Sequence, residues 1–389
     1  MLQAGIEENK LKKRLLFIST IFPNRLTQAN ATYNFQILYA LQDYFEISVV
    51  NPIAWHLKIK KSIPFRTVVE TIQVYHPTFW YLPRFLQSYY GWFYFFSIKS
   101  LINKLWQERS FDIVFSSWLY PDGWCACKIA ERYGVPAVVN AIGTDANRLK
   151  EGSLLAKKTV DTINTARSVI CVSHALKDKL ISIGADPGKI GVLYNGVNKN
   201  IFCKIDKYKS RQKYNYLNEE SIILFVGNLL KTKGIDELLH AFNYILENNF
   251  LNHPRLVIAG SGKYEPEIIK KIEMLGIKKF VSLIGNCELS KVAAMMNAAD
   301  VVCLPSYSEG LPNVIIEALC CNAKIVATDV GGIPELQNNH RNLYLVPPKD
   351  SIKLANALVA AVQAECFADN AEDIGTWAEY SQKLSRYLT

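Results

Sequence analysis

Short apolar runs alternate with helix-length stretches along this chain, and the alternation plays out twice. In the first half the strand-like runs fall at 15–20, 47–51, 113–116, 137–141 and 168–173, with helical patterns at 33–44, 123–133 and 174–183. The pattern restarts with strand-like runs at 222–227, 256–259, 281–285, 301–305 and 325–328. Helices are expected between them at 235–247, 265–275, 289–297 and 313–320. Such alternation builds a parallel sheet covered by helices on both faces. At 389 residues the chain is also too long for one compact core. The expected fold is therefore α/β, with two Rossmann-like domains facing a cleft where the carboxyl ends of the strands receive ligand.

The boundary is expected at 200–220, where the polar, poorly periodic stretch Lys204-Ile-Asp-Lys-Tyr-Lys-Ser-Arg-Gln-Lys213 separates the halves. Apolar residues 15–22 follow the basic cluster Lys12-Lys13-Arg14 but are too few to span a membrane. With Pro23 behind them and no convincing cleavage site, they read as a buried first strand. Nine cysteines, odd in number and without a Cys-x-x-Cys pair, are expected to stay reduced in a cytoplasmic protein. Six histidines show no ligand spacing, so no metal is expected. The net charge of +9 is unevenly placed. Residues 1–200 carry 24 Lys and Arg against 14 Asp and Glu, whereas residues 201–389 carry 20 against 21. A polarised basic half points to an anionic partner.

The strongest chemical signal is Ser308-Glu-Gly-Leu-Pro-Asn-Val-Ile-Ile-Glu317. A buried-looking strand at 300–306 leads into it, and a helix is expected to open at Pro312, since proline suits the first helical position. Strand, glycine loop and helix N-terminus form a site whose free N–H groups face an anion. Glu309 and Glu317 bracket that site, within roughly 12 Å of each other if the segment is helical throughout. A carboxylate accepts hydrogen bonds from vicinal hydroxyls, so the arrangement suits a sugar nucleotide. The segment resembles the Glu-x7-Glu signature of the family 4 retaining glycosyltransferases, of GT-B fold and polysaccharide-biosynthesis type. Ala327-Thr-Asp-Val-Gly-Gly-Ile-Pro-Glu335 resembles the strand and glycine turn that follow it. The resemblance implies that Glu309 orients the transferred sugar and Glu317 the ribose. Gly310, Leu311, Pro312 and Asn313 would line the donor site.

The resemblance runs from about residue 14 to 388. Phe225-Val-Gly-Asn-Leu-Leu-Lys-Thr-Lys-Gly234 resembles a Gly-Arg-Leu-x3-Lys-Gly motif, with Lys233 on the phosphate-binding lysine and Asn228 in place of the usual arginine. Asparagine offers only neutral hydrogen bonds, so one of two expected positive charges is missing. Ile258-Ala-Gly-Ser-Gly-Lys263 resembles the Gly-x-Gly turn beside the nucleoside, which implies donor contact by Gly262 and, after the next strand, by Asn286. In the first half, Trp118-Leu-Tyr-Pro-Asp-Gly123 and Asn140-Ala-Ile-Gly-Thr-Asp145 resemble segments of polysaccharide-building members. They put Trp118 on the acceptor side and Asp145 with Glu309 and Lys233 in the catalytic set. Ser117 and Ile142 stand where many relatives carry histidine. The loop after the first strand lacks a glycine pair that many relatives have there, and Thr32 and Asn34 are expected to donate hydrogen bonds instead. Lys189-Ile-Gly-Val-Leu-Tyr-Asn-Gly-Val-Asn198 resembles the segment that leads into the second domain. Residues 371–389, with Trp377, resemble a terminal helix that crosses back onto the first domain. The implied domains are 1–200 on the acceptor side, 201–370 for the donor, and 371–389 returning.

Between Trp80 and Trp106 the chain is crowded with aromatic residues, flanked by Arg84, Lys99 and Lys104. Two readings stay open: a bilayer interface, or an aromatic helix packed in the core. The expected partners are a nucleotide-sugar donor, UDP- or GDP-linked, a glycan or lipid-linked acceptor, and an anionic membrane surface on the inner face. No cofactor beyond the donor is implied, and no nucleic-acid module is present. A catalytically silent sugar-nucleotide binder or assembly protein is the rival, motivated by the missing arginine and histidines. An NAD-dependent oxidoreductase would rest on Gly260-Ser-Gly262 alone and leaves the glutamates unexplained.

Overall fold

The computed structural model describes residues 12–24, 32–60, 62–143, 146, 149–367 and 371–389. Two sheets organise them. The first has eight strands, in spatial order Ile190–Val192, Ser168–Cys171, Ala137–Ala141, Ile113–Ser117, Lys13–Ile18, Phe45–Val50, Ile72–Tyr75 and Arg66–Val69. All neighbours are parallel except the last pair, an antiparallel edge. The second has six parallel strands in the order Val281–Gly285, Pro254–Ala259, Ser221–Val226, Val301–Leu304, Ile325–Thr328 and Leu343–Val346. Numbered within this half, that order is 3-2-1-4-5-6, the doubly wound Rossmann arrangement.

Strands covered on both faces must be apolar along their whole length, not in alternation. Leu15, Leu16, Phe17 and Ile18 are accordingly all fully buried, as are Val301, Val302, Cys303 and Leu304. None of the nine cysteines is disulfide-bonded, and Cys125, Cys127, Cys171, Cys303 and Cys321 lie in the core.

The terminal helix Trp377–Leu388 starts on a capping box, in which Thr376 and Glu379 satisfy each other's backbone N–H groups. Tyr380, Leu384 and Leu388, spaced four apart on one face, bury against Ile37, Leu38, Leu41 and Phe17 of the first domain. Ser381 Oγ donates to the Ile37 carbonyl at 3.3 Å. The helix therefore packs on the first domain.

Several elements were not read from the sequence: the edge pair 66–75, the strands Ile190–Val192 and Leu343–Val346, and the helices Leu154–Thr165 and Ser351–Gln363. The helix expected to open at Pro312 instead begins at Asn313. Pro312 is its N-cap, at φ −75° and ψ 125°. Most of the aromatic stretch lies on one long helix, Tyr90–Glu108, whose inner face packs in the core as one of the two readings expects. Tyr94, Ile98, Ile102 and Leu105 enter the core, while Trp92 and Phe96 stay outside.

Candidate active site

In the second sheet the strand order reverses between Ser221–Val226 and Val301–Leu304, whose successors lead away in opposite directions. A crevice opens at such a point, and the chains leaving both strands border it. Lys233, in the short turn Lys231–Lys233, donates from Nζ to Oε1 of Glu309 at 2.5 Å. The glutamate side chain is only 9 % exposed. A largely buried ion pair persists only where its geometry offsets the loss of water. Backbone contacts supply that geometry. Tyr307 N–H donates to the Thr232 carbonyl at 2.8 Å. Gly234, at φ +65°, packs so closely that a β-carbon there would collide with the Pro305 carbonyl.

Beneath Glu309 lies the glycine turn that follows strand Ile325–Thr328. Gly332 N–H donates to the Gly310 carbonyl at 2.6 Å. Glu317 sits on the second turn of helix Asn313–Cys320 and is half-buried. Among the described residues its carboxylate has no hydrogen-bond or ion-pair partner, and burial pushes its pKa up to about 7. Of the three charged groups expected together, the structure joins Lys233 to Glu309 and sets Glu317 on the adjoining helix without touching that pair.

The other donor-side residues lie on strand ends bonded to one another. Gly227 N–H donates to Ala259 O at 3.0 Å, Leu229 N–H to Ser261 O at 2.9 Å, and Gly260 N–H to Gly285 O at 2.8 Å. Ser261 Oγ donates to Oδ1 of Asn286 at 3.0 Å, which joins the Gly262 turn to Asn286. Asn228 is exposed on the first of these loops. Leu311 and Pro312 are buried, and Oδ1 of Asn313 accepts from Asn195 Nδ2 at 2.8 Å, so part of Asn313 holds the inter-domain segment.

On the first domain the expectations fare unevenly. Asp145 and the side chain of Thr32 lie outside the described residues. Asn34 is a correction: it is buried, and its amide donates to the Ile21 carbonyl at 2.6 Å, so it braces the loop after the first strand. Trp118, at φ +84°, donates its backbone N–H to Asn140 O at 2.8 Å, tying the two first-half motifs together. Ser117 is buried and Ile142 half-buried. Ile142 and Gly143 meet the loop of Glu309 and Gly310 directly: a β-carbon on Gly143 would sit 2.6 Å from Gly310 Cα.

Two residues here were quoted within motifs but given no role. Asp122 is fully buried and accepts from Thr20 N–H at 2.5 Å and Thr20 Oγ1 at 2.9 Å. Burial pushes its pKa up to about 7 against the pull of those hydrogen bonds. Glu335 crosses between the domains. Its carboxylate accepts from His174 N–H at 3.0 Å, Ala175 N–H at 2.7 Å and the Tyr194 hydroxyl at 2.7 Å. The free N–H groups and dipole of the helix His174–Ser182 favour a carboxylate at that end. Ser173 before a helical run, with a glutamate after the distant Gly-Gly turn, was the available signal.

A family described as Glycosyltransferase Family 4 matches residues 30–200, and one described as Glycosyl transferases group 1 matches residues 206–379. The chain is 26% identical over 367 residues to the putative teichuronic acid biosynthesis glycosyltransferase TuaC of Bacillus subtilis (strain 168), covering 89% of this chain and 88% of TuaC. It is 33% identical over 193 residues to an uncharacterized glycosyltransferase of Methanocaldococcus jannaschii, 48% of each chain. Among solved structures, Anabaena HepE in complex with UDP and glucose is similar at TM-score 0.74 and 20% identity, over 97% of this chain and 99% of that one. Sucrose-phosphate synthase from Thermosynechococcus elongatus is similar at TM-score 0.79 and 17% identity, over 97% and 98%. The fold is that of the GT-B glycosyltransferases. Within that class the chain belongs to the family 4 glycosyltransferases.

Proposed function

We propose that this protein moves a sugar, with retention at the anomeric carbon, from a UDP- or GDP-linked donor to a glycan or lipid-linked acceptor during synthesis of a cell-surface polysaccharide. The observation that carries the reading is the Lys233–Glu309 pair at the point where the strand order of the second sheet reverses. A diphosphate entering there draws the ammonium toward itself and leaves Glu309 to accept from sugar hydroxyls. Glu317, a carboxylate with no protein partner among the described residues, suits the ribose. HepE, solved with UDP and glucose, supports a nucleotide-sugar donor, and TuaC supports a polysaccharide product.

As the sugar–phosphate bond breaks, negative charge grows on the leaving diphosphate. Lys233 and the N-terminus of helix Asn313–Cys320 stabilise it. The departing phosphate oxygen takes the acceptor hydroxyl's proton while the new glycosidic bond forms on the same face. The protein contributes positioning and electrostatics, and no side chain need act as nucleophile.

Glu309→Gln is expected to lower kcat by roughly a hundredfold or more, with donor binding kept better than in Lys233→Ala. Radiolabelled transfer and donor titration check this. Near-normal turnover in both variants defeats the assignment. Donor binding with neither transfer nor slow donor hydrolysis would instead mark a silent sugar-nucleotide binder. Proton NMR of the anomeric coupling tests retention.

A further inference from the structure

Between Trp55 and Glu108 the chain carries seven Lys or Arg and two acids, Glu70 and Glu108. The fold gathers the apolar residues of this stretch onto one outer surface. On helix Tyr90–Glu108, Trp92 and Phe96 stack 5.8 Å apart, with Phe96 63 % exposed. The loop before the helix is closed by Phe85 N–H to Leu82 O at 3.2 Å and Tyr89 N–H to Leu86 O at 2.8 Å. It leaves Leu82, Phe85, Leu86 and Tyr89 exposed, Phe85 at 71 %. Arg84 and Leu86 hold φ of +72° and +54°, a region L residues avoid and occupy chiefly where the surroundings or function demand it. Trp80, 59 % exposed, stacks on Trp55 at 6.1 Å, which adds the neighbouring helix Trp55–Lys60 with exposed Leu57 and Ile59.

Cations border this apolar ridge. Trp80 also lines a groove of about 660 Å³ between the antiparallel edge of the first sheet and helix Tyr90–Glu108, into which three cations, Lys58, Arg66 and Lys104, and one acid, Glu108, are set. So many exposed apolar side chains in one segment are uncommon on a soluble monomer and point to an interaction site. Aromatic rings with a rim of Lys and Arg match a bilayer interface, rings at headgroup depth and cations at the phosphates. Among the described residues no helix is long and apolar enough to cross a membrane.

The surface adjoins the cleft. The Tyr120 hydroxyl donates to Ser88 O at 2.5 Å and accepts from Gly91 N–H at 2.9 Å, tying the exposed loop to the Trp118–Gly123 turn. That turn leaves strand Ile113–Ser117 at its carboxyl end, the edge where such sheets take ligand. We propose that the ridge formed by the 80–96 segment and helix Trp55–Lys60, with its basic groove, docks the protein on an anionic lipid bilayer and holds the first-domain side of the cleft against it.

Co-sedimentation of the full chain with vesicles tests this, using phosphatidylcholine alone and phosphatidylcholine mixed with phosphatidylglycerol. Binding to the anionic vesicles is expected, weakening at high salt. Phe85→Ser combined with Phe96→Ser should reduce the partition coefficient at least tenfold on both vesicle types. Lys58→Glu combined with Lys104→Glu should reduce it on anionic vesicles alone. Unchanged thermal unfolding and donor titration show that these surface variants remain folded. No binding, or equal binding to both vesicle types, overturns the proposal. So does a dimer seen by light scattering that the serine variants dissociate, since the ridge would then be a protein interface. The assay reads binding alone, so its outcome is separate from that of the sugar-transfer reading.

Discussion

The two sheets hold the loops at their ligand-binding edges by different means. In the second sheet the loops lock to one another through backbone: Gly227 to Ala259, Leu229 to Ser261, Gly260 to Gly285, and Gly332 to Gly310. Glycines permit those approaches because no β-carbon stands between the chains. In the first sheet, alongside backbone bonds such as Trp118 to Asn140, side chains span wider gaps: Asp122 to Thr20, Asn34 to Ile21, Asn24 to Asn51, and Tyr120 to Ser88. Backbone locking needs a fixed spacing of glycines and so leaves a motif. Side-chain bracing can be met by many residue types, so it leaves little pattern.

The sharpest attempt to break this contrast is Gly234→Val. Positive φ and the collision with the Pro305 carbonyl act together. A loss of roughly 3 kcal/mol or more is expected, within the range of severe backbone and packing conflicts. Chemical denaturation would measure it, and a variant as stable as the parent would show that the loops of the second sheet are not locked as described. The matching probe of the first sheet is Asp122→Ala, which strips the acceptor from the buried Thr20 N–H and should cost about 1–3 kcal/mol. Asp122→Asn keeps an acceptor oxygen and should cost less. Equal losses in the two variants would mean that the carboxylate's charge, not its hydrogen bonding, braces the loop.

The smallest effect is also the most diagnostic. Glu317 has a folded pKa raised by burial from 4.5 to about 7. Between those values the folded chain binds the extra proton, so this group's contribution to stability falls as pH rises from about 4.5 to about 7. Below that window the carboxyl is protonated in both states and burial carries no charge penalty. Glu317→Gln should therefore match the parent near pH 4 and exceed it by about 1–2 kcal/mol at pH 8, while losing donor affinity. Paired melts across pH test the sign. A stability difference that does not change with pH would place Glu317 in solvent.

Much of the loop geometry of the second sheet was legible. Glu309, Lys233 and Gly262 stand in segments where strand, glycine and helix start follow at short range, and the structure brings each to a strand end beside the crevice. Asn34 was misjudged because an amide in a polar loop looks free until a carbonyl, here that of Ile21, is found beside it. Glu335 was passed over because its partners lie some 140 to 160 residues away, and no local spacing marks such a contact. The edge pair 66–75 was missed for a related reason. Its outer strand is half-exposed and carries the mixed pattern Arg-Thr-Val-Val, not the continuous apolar run of a covered strand.

Residue order alone determined the alternation of strands and helices, the doubling of that pattern, and the charged side chains that flank each glycine loop, because these depend on neighbours within a turn or two. Only the tertiary structure decided that Lys233 reaches Glu309, that Gly143 seats against Gly310, and that Phe85 and Phe96 face outward while Tyr94 does not. Those outcomes depend on which surfaces two separately wound sheets present to one another, and that is settled by packing across long stretches of chain.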